Sequence, residues 1–155
     1  MDLSAERQYA EEAGVVLAGM GMSLASGKLL GYLLICDPPA RSGAELAEAL
    51  GLSKGSVSGG LRILEAGGLA RRVAMPGRRG TFFEMTPDAI MQAAGSEKFT
   101  AFRRLMDHGL EVLGGEDSPG GERLRSTRDF YAFLEVELPK LIERFQTEQK
   151  GRTDG

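Results

Sequence analysis

Cysteine and histidine are scarce in this sequence. Its 155 residues include one cysteine, Cys36, and one histidine, His108. A single cysteine cannot form an internal disulfide, and one cysteine with one histidine provides too few ligands for a typical zinc site. We therefore expect neither a disulfide framework nor a metal site.

Long apolar runs are also missing. The longest, residues 29–36, is far shorter than the roughly 18 to 20 residues that a helix needs to cross a bilayer. Residues 1–6 lack the basic region and apolar run of a secretory signal. The composition is otherwise near the globular average, with 42% hydrophobic and 26% charged residues. These features predict a single cytoplasmic domain, residues 1–155, without a membrane partner.

The chain has no excess of positive charge, but its bases are clustered. The formal net charge is −3, which by itself argues against binding a polyanion. Residues 53–80, however, contain one acid, Glu65, and six bases, so this segment carries +5 while the remainder is strongly acidic. The six bases are Lys54, Arg62, Arg71, Arg72, Arg78 and Arg79. A compact basic segment in an acidic chain favours a protein that docks on nucleic acid with one surface.

Motifs for catalysis or cofactor binding are lacking. His108 stands beside Asp107 without a matching nucleophile motif, so a surface or interface position is the simpler interpretation. Gly77 and Gly80 lie near arginines, but they are not followed by the lysine and serine or threonine pair of a P-loop. We expect a protein that is not an enzyme and that needs no cofactor.

The first part of the chain has the spacing of two helices. Apolar residues recur at helical intervals over residues 4–18. A second helix begins near Ser23 and must end at residues 37–39, because proline cannot continue the backbone ladder. Gly27 and Gly31 lie four residues apart on one face of this second helix. Their missing side chains allow another helix to approach closely.

Two short helices separated by a tight turn come next. Residues 42–45 have the spacing of a capping box with Ser42 as the cap, so a helix begins there and ends at Gly51. In the following helix, residues 53–66, apolar residues recur at i, i+4 and i+7 and leave Arg62 and several serines and glycines on the opposite face. That polar face is free to contact a partner.

A hairpin with a basic tip follows the helices. Residues 69–75 mix apolar residues with arginines, and residues 81–85 contain aromatic residues and threonine, as is typical of strands. Residues 76–80, PGRRG, form the turn between them. The order helix, turn, helix and hairpin is that of a winged helix-turn-helix. It predicts a mainly α fold with a small antiparallel β-hairpin wing.

Further helices are expected after the hairpin. Thr86 and Pro87 have the pattern of a helix start, and the helical region extends to Leu113. After a break at residues 114–121, apolar residues recur at steps of three, four and seven, which predicts a long final helix. Pro139 inside it should kink the helix or remove a hydrogen bond. The apolar stripe of this helix could line a ligand pocket, but a subunit interface is the commoner use of such a stripe.

The winged-helix pattern assigns candidate DNA contacts. The second helix of the pair is narrow enough to enter the major groove, and its N-terminal residues reach base edges. Arg62 lies farther along the exposed face, within reach of a phosphate or a guanine edge. The arginines at the hairpin tip could enter the adjacent minor groove, whose negative potential attracts guanidinium groups. The candidate residues are Ser42, Lys54, Ser56, Ser58, Arg62, Arg72, Arg78 and Arg79.

The helix-turn-helix segment resembles the core of MarR-type bacterial regulators, and more closely their GbsR-like branch, over residues 45–73, ELAEALGLSKGSVSGGLRILEAGGLARRV. Residues 18–42 resemble the same branch. The resemblance implies a homodimer in which residues 1–21 and 87–155 supply dimerisation helices around a DNA-binding core, residues 22–86. It also implies a pseudo-palindromic site on double-stranded DNA and a repressor that a small-molecule effector releases.

Two features depart from the common MarR pattern. Gly59 stands where MarR-type recognition helices often carry arginine, and no aspartate precedes the arginines of the hairpin. Since winged helices also serve as protein-binding modules, a module of that kind is the alternative to a DNA-binding regulator. Cys36 could sense peroxide, but it ends an apolar run beside an acid, which favours a core cysteine.

Overall fold

The chain folds into two compact units. The computed structural model describes residues 3–88 and 97–154. The first unit is Met1–Ala89 and the second is Ile90–Gly155. The sequence predicts one domain whose DNA-binding core ends at residue 86. The division between the two units, after Ala89, lies close to that residue. Among the described residues, no helix has both the length and the apolar character needed to cross a membrane.

Four helices form most of the first unit: α1 (Leu3–Ala18), α2 (Leu24–Ile35), α3 (Gly43–Leu50) and α4 (Lys54–Ala66). Three of them begin with a serine cap. The side chains of Ser23, Ser42 and Ser53 each accept a hydrogen bond from the backbone N–H three residues later. These bonds satisfy donors that have no partner inside the helix, which is why α2, α3 and α4 begin close to the predicted residues.

The core of the first unit lies between its helices and a small sheet. The largest fully buried apolar side chains are Leu29, Leu46, Leu64 and Phe82, none more than 1% exposed. Ser26 of α2 is also fully buried, and its hydroxyl donates a 3.2 Å hydrogen bond to the carbonyl of Gly60 in α4. This bond satisfies the buried hydroxyl and ties α2 to the apolar side of α4.

A three-stranded antiparallel sheet completes the first unit, with strands β1 (Arg41–Ser42), β2 (Ala70–Val73) and β3 (Phe82–Met85) in the order β1-β3-β2. The predicted hairpin is confirmed as β2 and β3, with Val73 opposite Phe82. Both strands are shorter than the predicted segments. The sequence did not indicate β1, because two residues are too few to show the alternation of a strand.

Helices α1 and α2 pack closely because small residues face each other. A Cβ atom added at Gly27 would lie 3.0 Å from the Cα atom of Gly14, and one added at Gly31 would overlap the Cβ atom of Ala13. The prediction that another helix approaches this face of α2 is confirmed, and that helix is α1.

Gly31→Ala is therefore expected to lower the free energy of unfolding of the first unit by about 1 to 3 kcal/mol, because the added methyl pushes α1 away from α2. Gly59→Ala in α4 is the matched control, since nothing lies within 4 Å of a Cβ atom there. It should raise the free energy of unfolding by up to about 1 kcal/mol through helix propensity. Urea denaturation followed by circular dichroism measures both. Equal effects would contradict the close packing of α1 on α2.

The helix start predicted at Thr86 and Pro87 is wrong at these residues. Pro87 and Asp88 lie in a turn, and Asp88 has a φ angle of 55°. This left-handed conformation cannot belong to a right-handed helix. Residues 89–96 of the expected helical region lie outside the described residues, and its last part is confirmed as a helix over Glu97–Leu113.

Two helices form the described part of the second unit: α5 (Glu97–Leu113) and α6 (Gly121–Thr153). The long final helix is thus confirmed. It continues through Pro139, whose nitrogen cannot donate a hydrogen bond to the carbonyl four residues earlier. An ion pair links the two helices, because Nε of Arg103 donates a 2.6 Å hydrogen bond to the Glu135 carboxylate.

Stability in acid should depend on Glu135. Hydrogen bonds from Arg103 and from Thr100 lower the pKa of the Glu135 carboxyl below its usual value. A carboxyl with a lowered pKa stabilises the folded state above its unfolded pKa of about 4.3, and this contribution is lost as the pH falls through the folded pKa. Glu135→Gln is therefore expected to destabilise the chain at pH 6 and to differ little from the unaltered chain near pH 3.

Thermal unfolding followed by circular dichroism between pH 3 and pH 7 measures this effect. Glu143→Gln is the control, since Glu143 is an exposed carboxylate of the same helix that forms no ion pair within residues 97–154. A difference between Glu135→Gln and the unaltered chain that stays constant across this pH range would contradict the prediction.

Candidate nucleic-acid interface

The exposed face of α4 carries four of the candidate residues. Lys54, Ser56, Ser58 and Arg62 are all exposed, while Val57, Leu61 and Leu64 are at most 3% exposed on the opposite side. The helix is held by its cap, because the Ser53 side chain accepts the Ser56 N–H at 3.1 Å. Within the described residues, neither Lys54 nor Arg62 forms an ion pair. Both cations are thus available to an external anion.

The tip of the wing is a glycine-bounded turn between β2 and β3. The N–H of Arg78 donates a 3.1 Å hydrogen bond to the carbonyl of Met75, with Pro76 and Gly77 between them. Gly77 has a φ angle of 76° and Gly80 one of 103°, conformations that glycine adopts without strain. A proline followed by a glycine with positive φ is typical of a type II turn. This turn presents two consecutive arginines at the end of the hairpin.

Arg78 and Arg79 have different surroundings although they are adjacent. Arg78 forms a 3.2 Å ion pair with Glu45 of α3, and its guanidinium lies 4.6 Å from the centre of the Phe82 ring. Arg79 is exposed and forms no ion pair in the part of the chain that the structure describes. Of the two wing-tip arginines, Arg79 is therefore the one without an ion pair to any described residue.

The arginines of β2 are also paired with carboxylates. Arg72 lies 3.0 Å from Glu65 and over the ring of Phe83, and Arg71 lies 2.6 Å from Glu84 on the neighbouring strand. The charge of +5 counted over residues 53–80 thus overstates the free positive charge, since Glu45 and Glu84 approach it from outside that segment. The bases of this segment without an ion pair among the described residues are Lys54, Arg62 and Arg79.

Ser42 forms two hydrogen bonds with Glu45 at the start of α3. Its side chain accepts the N–H of Glu45 at 3.1 Å, and its own N–H donates to the Glu45 carboxylate at 3.2 Å. The predicted capping box is therefore confirmed. Burial tends to raise the pKa of the Glu45 carboxyl, but hydrogen bonds from Ser42 and the nearby charge of Arg78 lower it below its usual value. Glu45 is thus an ionised carboxylate at neutral pH.

The N-terminus of α3 lies beside both the wing and α4. Arg78 of the wing reaches Glu45 there. On another side of the same terminus, a cavity of about 300 Å³ lies among α3, α4 and β3 and is lined by Gly43, Ala44, Lys54, Val57, Ser58, Leu61 and Phe83. Residues of the wing and of α4, the two elements predicted to contact DNA, therefore lie beside the N-terminus of α3.

Cys36 lies in the core of the first unit, and His108 lies in the second unit. Burial raises the pKa of the Cys36 thiol, although Arg41 partly opposes this, and the residue is 7% exposed. A buried and protonated thiol is a poor nucleophile, which supports the interpretation of Cys36 as a core residue. His108 is exposed on α5. Within residues 3–88 and 97–154, no cluster of His, Cys, Asp and Glu could hold a metal ion.

Sequence reasoning missed the partners of the wing. The ion pair between Arg78 and Glu45 joins residues 33 positions apart, and no local pattern indicates it. Glu45 was identified as a capping residue only. The aromatic residues of β3 suggested a strand, but not that Phe82 and Phe83 would each lie beneath an arginine.

Comparisons with known proteins agree with this architecture. A family model described as an MmpR5-like MarR family transcriptional regulator matches residues 88–148. The HTH-type transcriptional regulator MmpR5 of Mycobacterium tuberculosis is 34% identical over 151 residues, which are 95% of this chain and 90% of that protein. A crystal structure of a transcriptional regulator superposes with a TM-score of 0.79 at 33% identity and covers 92% of this chain and 99% of that one.

Proposed function

Because this chain belongs to the MarR family of winged-helix, DNA-binding transcriptional regulators and is MmpR5-like, we propose that it is a cytoplasmic, sequence-specific repressor that binds double-stranded DNA as a homodimer. The observation that carries the proposal is the position of three cations that form no ion pair with any described residue. Lys54 and Arg62 lie on the exposed face of α4, and Arg79 lies at the wing tip. Its membership of the GbsR-like branch stays a prediction.

Each candidate residue has a role in this proposal. Lys54, Ser56 and Ser58 enter the major groove at the N-terminal end of α4, where side chains reach base edges. Arg62 binds a phosphate or a guanine edge farther along the helix. Arg78 and Arg79 enter the neighbouring minor groove. Ser42 and Arg72 lie beside these elements and contact the sugar-phosphate backbone, which fixes the orientation of the protein on the duplex.

In the proposed homodimer, a second copy of the chain buries apolar side chains that are exposed in the single chain. Large apolar residues of α1 and of the second unit are 41 to 72% exposed in the single chain, among them Val15, Val16, Phe102, Leu105, Val112, Phe130, Phe133 and Val136. Exposed apolar surface on this scale is typical of subunit interfaces. A twofold dimer would present two copies of α4 to successive major grooves, about 10 base pairs apart.

The proposed effector is a small molecule that releases the repressor from DNA. The cavity of about 300 Å³ beside α4 has the size of a small ligand site. Lys54 and Ser58 line it and are also proposed to contact DNA. A ligand bound there would compete with the duplex for these two residues.

Selection of bound fragments from genomic DNA by the purified chain tests the function. We expect the recovered fragments to share a pseudo-palindrome with half-sites about 10 base pairs apart. Sedimentation equilibrium should give twice the chain mass of 16.6 kDa. The absence of any affinity for duplex DNA at low salt would instead indicate a winged-helix module that binds another protein.

A further inference from the structure

The carboxylate of Glu45 in α3 contacts both β1 and the wing tip in the first unit. It accepts the N–H of Ser42 at 3.2 Å, lies 3.4 Å from the Arg41 guanidinium, and lies 3.2 Å from the Arg78 guanidinium. Arg41 and Ser42 belong to β1, Arg78 belongs to the wing tip, and Glu45 itself belongs to α3. The helix cap alone needs only the first of these contacts.

Arg78 is held on two sides. Its guanidinium lies over the ring of Phe82 at 4.6 Å, and its terminal nitrogen lies against Glu45. Phe82 is 1% exposed, so its ring is fixed by the core. The Arg78 side chain remains 48% exposed, which leaves it able to exchange partners at the surface. Its orientation in the free protein is therefore set by one buried ring and one carboxylate.

A carboxylate and a phosphate offer the guanidinium group similar oxygen acceptors. We propose that Glu45 is a positioning residue that stands in for a DNA phosphate, holding Arg78 of the wing while the protein is free of DNA. Binding to DNA then requires Arg78 to leave Glu45, and the contact lowers the affinity for the duplex. This inference rests on the proposed function, in which Arg78 contacts DNA.

The substitution Glu45→Gln separates the holding of Arg78 from the capping of α3. Glutamine also completes a capping box, so α3 keeps its start while the charge that attracts Arg78 is removed. Glu48→Gln is the matched control: Glu48 is an exposed carboxylate in the same helix, and among residues 3–88 it forms no ion pair. Both substitutions change the net charge equally, so any general effect of removing a negative charge near DNA is shared.

The first measurement is the affinity for a random-sequence duplex at low salt, determined by fluorescence anisotropy. Glu45→Gln should bind about two- to fivefold more tightly than Glu48→Gln, as expected for the loss of a partly exposed ion pair. In chains that also carry Arg78→Gln, the two substitutions should have equal effects. Equal effects in the presence of Arg78 would overturn the proposal.

The second measurement needs no DNA. Trypsin cleavage after Arg78, followed by mass spectrometry, should be faster in Glu45→Gln than in Glu48→Gln, because the arginine is no longer held. Equal cleavage rates would overturn the holding role of Glu45. If Arg78→Gln leaves DNA affinity unchanged while the cleavage rates differ, the wing contact of the proposed function fails, and with it the competition with phosphate, although Glu45 does hold Arg78.

Discussion

Replacing Arg78 and Arg79 together by glutamine is expected to weaken duplex binding by tens of fold near 0.1 M salt and to lower the salt dependence of the binding constant. Each phosphate contact contributes about 0.9 to the slope of log K against log salt, so two lost contacts reduce its magnitude by up to about 1.8. Arg79 is unpaired within the described residues, and Arg78 is half exposed beside it. Fluorescence anisotropy at several salt concentrations measures affinity and slope together.

The control for this change is Lys140→Gln with Arg144→Gln in α6. It also removes two positive charges, but at exposed positions of the second unit. If the effect of the wing arginines comes from direct contact, the control should change affinity and slope much less. Equal losses in both double variants would mean that the wing does not contact the duplex and that only the total charge matters.

The parts of the fold that were predictable depend on local chemistry. The serine caps at Ser23, Ser42 and Ser53 need only the residues within one turn, and the apolar stripe of α4 needs only its own spacing. The facing glycines of α2 also predicted a close helix neighbour. The caps and the stripe have their whole cause within one helix, and the glycines show that a neighbour approaches α2 without showing which helix it is.

The charge of the candidate site was less predictable because ion pairs join distant segments. The basic run over residues 53–80 contains six bases, yet Arg71, Arg72 and Arg78 each lie against a carboxylate. Two of these partners, Glu45 and Glu84, are outside the run. β1 was also missed, because a strand of two residues shows no alternation and is recognised only through its pairing with β3.

Phe82 joins the core of the first unit to the wing, and truncation of its buried ring should cost much of the stability of that unit. Its ring is 1% exposed, it lies opposite Val73 in the sheet, and Arg78 lies over it. Phe82→Ala is expected to lower the free energy of unfolding of the first unit by about 3 to 5 kcal/mol, because a buried ring is lost and a cavity remains. Urea denaturation measures this, with the two units followed as separate transitions if they unfold independently.

Phe82→Leu separates burial from the contact with Arg78. Leucine fills part of the cavity, so the loss of stability should be clearly smaller than with alanine, but leucine provides no ring for the guanidinium. Trypsin cleavage after Arg78 should therefore increase in both variants, even where the leucine variant is well folded. Ile63→Ala, at a side chain that is 52% exposed, is the control and should cost less than about 1 kcal/mol. A loss of stability in Phe82→Ala no greater than in Ile63→Ala would mean that the wing is not anchored in the core through this ring.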